Sequence, residues 1–249
     1  MNDADSLEMP EFKSRLQALL DGMPAGTLQD YAFFDLASDR APWFDTGIDV
    51  EVGERLTSPV TPPEDWHYLW FIGPAEIYRP CPAPGRESAI CCHIHRDVGL
   101  LQKSVRLPLE PDTRLRWSWK MDALPSAVAE NTLPTHDYLS IAVEFDNGQD
   151  ITYYWSAELP VGTVYRCPIP TWNARETHVV VRSGEQGLGE WIDEARDVYQ
   201  DYVDAIGGPM PKNIVRIWLI AVSLFQRTEG KCQYDDIAFL QGKRTIPVG

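Results

Sequence analysis

An all-β fold, an antiparallel β-sandwich or jelly roll with a few peripheral helices, is predicted by three features of the 249-residue sequence. Short runs in which apolar and polar residues alternate recur along most of the chain, as strands with one buried face require. Seventeen glycines and twenty prolines punctuate those runs, supplying the turns between short strands. Helical patterns are few and do not alternate with the strands, which argues against a parallel α/β architecture.

Residues 10–22, PEFKSRLQALLDG, set Phe12, Leu16, Leu19 and Leu20 at helical spacing and end in Gly22, predicting a short amphipathic helix packed on the body. In GIDVEVGERLTS, Ile48, Val50 and Val52 alternate with acids, which is strand patterning. WHYLWFIG (66–73) and EIYRP (76–80) read as two more strands, and residues 85–108 as a hairpin or strand pair. DTRLRWSWKMD (112–122), DYLSIAVEFD (137–146) and ITYYWSAE (151–158) continue the series, and Asn147-Gly148 between the last two predicts a tight hairpin. ETHVVVRSG (176–184) and IVRIWLIAVSL (214–224) are apolar enough for central strands, and QYDDIAFLQG (233–242) closes the set.

A second helix is predicted over 189–208, where Trp191, Ala195, Val198, Tyr202 and Ile206 fall three or four apart and Gly207-Gly208-Pro209 stops it. Glu190, Asp193 and Glu194 would then sit in its first turn and favour its dipole. With no repeat, low-complexity tract or linker, residues 1–249 are expected to form one sandwich domain.

A chain this long can bury a sizeable core without staples. Its net charge of −15 and pI near 4.7 argue against nucleic acid or an anionic membrane as partner, leaving a small-molecule ligand as the expectation. The N-terminal residues lack a basic start followed by an apolar core, and no run of eighteen apolar residues occurs, so a cytoplasmic protein is expected. Five cysteines, an odd number with Cys91 and Cys92 adjacent, suggest reduced thiols. Neighbours on a strand face opposite sides, so these two cannot easily bridge each other.

Three stretches, ITYYWSAELPVGTVYRCPIP, VVVRSGEQGLGEWIDEARDVYQDYVDAIGGPMPKNIVRIWLIA and CQYDDIAFL, resemble a bacterial domain family of unknown function. Its pattern is Tyr-x-Trp-x-x-x-Leu-Pro-x-Gly-Thr, a valine-rich strand, Ser-Gly and an LGEW…VYEDY segment, matched here over Tyr153–Thr163 and Val179–Tyr202 and more loosely over 112–241. The resemblance implies a sandwich-like β-domain and lends no catalytic residues. The chain departs from the pattern at His136-Asp137-Tyr138, where the family tends to have two acids before the tyrosine. It departs again at SLFQRTEGK, in place of an Asp-rich turn. Such changes in a matching frame suggest local specialisation.

For chemistry, CCHIHRDVG (91–99) places His93 and His95 on one strand face, Cα atoms roughly 6.5–7 Å apart. Two imidazoles at that spacing can grip a metal; Cys91 is too distant from His95 to share it, so His136, His67 or Glu144 would complete the set. This is a weaker alternative, a His-ligated metal-dependent hydrolase. The leading expectation needs neither metal nor cofactor. Along HDYLSIAVEFD, Tyr138, Ser140, Ala142 and Glu144 share one face, and Leu139, Ile141, Val143 and Phe145 a second face that belongs to the core. The first face is solvent-exposed or lines a cavity. In an aromatic-lined cavity His136 and Tyr138 could act as an acid/base pair, with His93, His95 and Glu144 in support. That is lyase, hydratase or isomerase chemistry.

Trp117 and Trp119, like Tyr153 and Trp155, form aromatic rows, of which Trp117, Trp119 and Trp155 are expected in the core, whereas Tyr154 faces the other way and is a ligand candidate. Arg116 and Lys120, opposite Trp117 and Trp119, could hold a substrate anion. His178 reads as a structural strand-end residue. The sequence contains no phosphate-binding glycine loop, Gly-x-Ser-x-Gly elbow, His-Glu-x-x-His or Cys-x-x-Cys, which argues against nucleotide-dependent enzymes and serine hydrolases. The remaining alternative is a non-catalytic carbohydrate- or small-ligand-binding module.

Overall fold

The computed structural model describes residues 62–68, 77–96, 98–170 and 172–248. The helix expected over 10–22 and the strand around 48–52 lie outside them.

The described residues form β1 (His67–Tyr68), β2 (Tyr78–Pro80), β3 (Ile90–His95), β4 (Val98–Pro108), β5 (Arg114–Ala123), β6 (Tyr138–Phe145) and β7 (Asp150–Ser156). These are followed by β8 (Val164–Arg166), β9 (Glu176–Ser183), β10 (Ile192–Asp197), α1 (Val198–Ala205), β11 (Asn213–Val222), β12 (Glu229–Gln241) and β13 (Arg244–Pro247). One sheet runs β1-β4-β11-β6-β7-β9-β8; the other runs β10-β5-β12-β3-β2, with β13 beside the end of β12. Neighbours are antiparallel except β7 and β9, which run parallel. The sandwich is therefore as the sequence predicts, and β6 and β7 form the hairpin that Asn147-Gly148 signals. Residues 85–108 do not form a hairpin: β3 pairs with β12 and β2, β4 with β11 and β1. The chain changes sheets after Arg96, whose φ of 57° makes the turn.

Alternation builds the core. Leu139, Ile141, Val143 and Phe145 of β6 and Ile151, Tyr153 and Trp155 of β7 meet Leu115, Trp117, Trp119 and Met121 of β5 across the sandwich. Trp117 stacks on Tyr153 at 5.7 Å and Trp119 lies 5.9 Å from Trp155, so the aromatic rows are core. Yet every residue of β6 and β7 is buried, on both faces. Segments before β6, between β7 and β9, and after β11 cover the outer face of the first sheet. Asp137, just before β6, ties two of them by accepting from the backbone N–H groups of Phe225 and Gln226.

The helix predicted over 189–208 is half strand. Residues 192–197 pair with β5 as an edge strand, and only Val198–Ala205 is helical. The sequence keeps helical spacing at Trp191, Ala195 and Val198 and shows no apolar alternation over 192–197, so the free edge of β5, not the local pattern, makes the strand. Asp193 and Glu194 therefore lie on a strand, not in a helical first turn. Asp197 caps the helix by accepting from the Gln200 backbone N–H at 3.0 Å. Asp197→Ala is expected to cost about 1 kcal/mol of unfolding free energy in urea titrations.

The expectation of wholly reduced thiols is corrected. Cys81, just after β2, bridges Cys91 of β3, with Cα atoms 5.7 Å apart. Cys91 faces outward where its neighbour Cys92 faces the core, so the adjacent pair is not bridged. Cys92, Cys167 and Cys232 are free and buried.

Candidate functional site

Under the cover of the first sheet lies a buried cluster of polar side chains. Tyr138 opens β6, and His136 precedes it at the end of a 3-10 turn, Leu133–Thr135. Parallel pairing of β7 with β9 brings Glu176 and His178 beside Thr152 and Tyr154, and Cys167 follows β8. His136, Cys167 and His178 are fully buried and Glu176 nearly so. The His136 Nδ1–H donates to the Glu130 carbonyl at 2.7 Å, while its Nε2 lies 3.4 Å from the Cys167 sulfur. Glu176 accepts from the Tyr138 hydroxyl at 3.2 Å and from Thr152 at 3.1 Å. His178 stacks on Tyr165 at 5.0 Å.

Burial, then the nearby His178 charge, pushes the His136 imidazole down to about 3. Burial and then the Glu176 carboxylate push the Tyr138 phenol well above its usual value. Both groups hold their neutral forms at working pH, which suits neither to exchanging protons there. Burial would raise Glu176, but the adjoining His178 imidazole outweighs it and holds the carboxyl down, at about 2. The adjoining cavity, lined by Tyr138, Trp172, Glu176 and Phe225 among others, has a volume of about 30 Å³. That is room for water, not for an organic substrate.

The other expected site residues do not join this cluster. His93 and His95 are exposed on the outer face of the second sheet, and His93 Nε2 meets Glu229 at 2.7 Å. They belong to the opposite sheet, so neither can support His136 or share a metal with it. Glu144 shares a face with Tyr138 as expected, but six residues along β6, roughly 20 Å away by strand rise. There it is clamped by Arg216 at 2.9 Å and Arg175 at 3.3 Å. Tyr154 faces away from Tyr153 as expected, but is fully buried and accepts a hydrogen bond from the Tyr165 hydroxyl, so no ligand reaches it. Lys120 pairs with Asp122 and Arg116 with Asp236 at 2.9 Å. His178, expected as a strand-end residue, lies within β9 and inside the cluster.

A second site opens on the outer face of the second sheet, where an open groove of about 510 Å³ is lined by Arg86, Glu87, Ser88, Ser118, Asp193, Asp235 and Asp236. Its geometry comes from a β-bulge. Between Asp235 and Ala238, β12 carries one residue more than the facing stretch of β5, with Asp236 at φ 50°. Tyr234 on one side and Ile237 on the other both reach the core, so the extra residue lets two successive aspartates line one groove. Their carboxylates are held in place: Asp235 accepts from Ser88 at 2.6 Å and Arg86 at 3.3 Å, and Asp193 accepts from Ser118 at 2.6 Å. Arg86 in turn lies over the Trp191 ring, 4.3 Å from its centroid. Of these residues the sequence singles out Arg116, paired with Asp236, as an anion-holding candidate, and Asp193 and Trp191 only as parts of a helix. The telltale was Asp235-Asp236 itself, two acids where strict alternation needs one inward apolar side chain.

No curated protein matches the sequence. Among solved structures the chain is similar to the xyloglucanase domain of NopAA, a type three effector from Sinorhizobium fredii, in complex with cellobiose (TM-score 0.41, 8% identity, 72% of this chain and 95% of that one). It is also similar to a native family 12 xyloglucanase from Bacillus licheniformis (0.38, 7%, 73% and 95%). A third is the family 11 carbohydrate-binding module from Clostridium thermocellum with a β-1,3-1,4-mixed-linked tetrasaccharide (0.32, 13%, 63% and 76%). These are sandwiches at low identity, and they transfer no residue roles. The expectation of cofactor-free lyase, hydratase or isomerase chemistry is corrected: the residues expected to carry it do not assemble around a ligand-sized cavity. The physical reason is that the acid/base pair is sealed beside a water-sized cavity and its supporting residues are dispersed. A family profile described as protein of unknown function (DUF3047) matches residues 64–238, well over half of the sequence, and this chain belongs to that family.

Proposed function

We propose that the protein is a non-catalytic carbohydrate-binding module whose ligand lies in the groove of the second sheet. The observation that carries this reading is the bulge-built row of carboxylates, with Arg86 of the same groove lying over the Trp191 ring. A carboxylate offers about four acceptor sites, and one or two intramolecular hydrogen bonds leave the rest for ligand hydroxyls. A neutral polyol matches such a surface, whereas anions are repelled by Glu87, Asp193, Asp235 and Asp236 in a chain of net charge −15. The half-buried indole of Trp191, braced by Arg86, adds an apolar ring of the kind on which sugars stack. The Cys81–Cys91 bridge supports an oxidising compartment in place of the cytoplasm. Among the described residues no helix is long and apolar enough to cross a membrane.

Calorimetric titration with cellobiose, β-1,4-galactotriose and a β-1,3-1,4-mixed-linked tetrasaccharide tests the proposal. Saturable binding without release of new reducing ends is expected, and Trp191→Ala should weaken it at least about tenfold, ~1.4 kcal/mol. Absence of heat with all three sugars, or affinity unchanged in the variant, would remove the groove from consideration. New reducing ends would make the protein a hydrolase.

A further inference from the structure

We propose that His136, Cys167, Glu176 and His178 form a binding site for a single zinc ion, beneath the cover of the first sheet and separate from the ligand groove. Each of the four offers one ligand atom, and these atoms all lie within 4.8 Å of one another. Zinc bonds of about 2.0–2.1 Å to nitrogen, 2.0–2.2 Å to oxygen and 2.3 Å to sulfur, arranged tetrahedrally, put ligand atoms roughly 3.4–3.6 Å apart. Two edges already have that length: His136 Nε2 to the Cys167 sulfur at 3.4 Å, and His178 Nε2 to Glu176 Oε1 at 3.4 Å. Closing the others needs movements of about an ångström.

Two further observations point to a ligand. His136 donates its Nδ1–H to the Glu130 carbonyl, which leaves the Nε2 lone pair facing the cluster; metal-bound histidines are oriented by this kind of outer hydrogen bond. His178 is fully buried, yet neither of its ring nitrogens has a hydrogen-bond partner. Its contact with Glu176 is close but not aligned as a hydrogen bond. A buried imidazole with both nitrogens orphaned is rare and costly, and an ion at the centre of the cluster would satisfy one of them.

The charges close as well. Zinc binding releases the Cys167 thiol proton to solvent, so one thiolate, one carboxylate and two neutral imidazoles surround a dication with no net charge. Burying a neutral cluster avoids the cost of an isolated ion. The mixed sulfur, nitrogen and oxygen donors suit zinc and disfavour calcium or magnesium, which take oxygen. Four protein ligands leave no open position, so the role is structural. The ion would fasten the 3-10 turn before β6 and the segment after β8 to β9, holding the cover on the sheet.

The test uses the whole chain, purified without chelator or a histidine tag. Elemental analysis should find about one zinc per chain, with the content falling at least tenfold in a Cys167→Ser/His178→Ala double variant and unchanged in His93→Ala. Since the double variant can fail to fold, the unaltered chain is also stripped of metal and titrated with cobalt(II). A thiolate-to-cobalt charge-transfer band with tetrahedral ligand-field absorption is expected, as is a rise in Tm when zinc chloride is added to stripped protein. A chain that carries no zinc, shows no thiolate–cobalt band and keeps its Tm on zinc addition overturns the proposal. So does a folded double variant that retains its zinc.

Discussion

Trp117→Ala is expected to remove about 3–5 kcal/mol of unfolding free energy, the largest loss of any single change considered, with a matching fall in the urea midpoint. Trp117 is 1% exposed, stacks on Tyr153 and meets Trp119 edge-on at 5.4 Å, so its removal opens a cavity between two sheets that cannot close on it. The comparison with Trp191→Ala is informative. Trp191 is half-buried and lies under Arg86, a groove residue, so its loss should leave the urea midpoint almost in place while weakening sugar binding. Equal effects of the two variants on stability, measured by circular dichroism, would contradict the division into core and recognition surface.

Replacing Cys81 and Cys91 by serine is expected to cost about 2–3 kcal/mol, because the bridge closes a loop of roughly ten residues in the unfolded chain. The same loop carries Arg86 and Ser88, both of which donate to Asp235. Loosening it should therefore also reduce affinity for the oligosaccharides, as ordering the loop would be deferred to the moment of binding. Thermal unfolding and titration of the double serine variant read the two effects separately. Undiminished affinity would mean that Arg86 and Ser88 are held without the bridge.

The strands were legible because alternation is a local property: the inner and outer faces of β5, β6 and β7 follow directly from their sequences. Burial of the outer face of β6 was not legible, since the cover comes from distant segments. The Ile192–Asp197 strand was hidden by helical spacing at Trp191, Ala195 and Val198, and its partner β5 lies some eighty residues earlier. Of the buried cluster, His136 and Tyr138 stood out, while Glu176 and His178 are brought to them by the parallel pairing of β7 and β9 and Cys167 by the pairing of β8 with β9. Glu176 and His178 are two polar residues at strand spacing in a buried run, the same pattern that drew notice to His93 and His95. The burial of one pair and the exposure of the other depend on which sheet face receives a cover.

The bulge in β12 gives the protein freedom of another kind. Because the extra residue absorbs the change of phase, Cys232 and Tyr234 before it and Ile237 and Phe239 after it all keep their places in the core. Substitutions at 235 can then change the polar lining of the groove while the core positions on either side of the bulge stay in phase. The chemistry of the groove and the packing of the framework are thereby uncoupled.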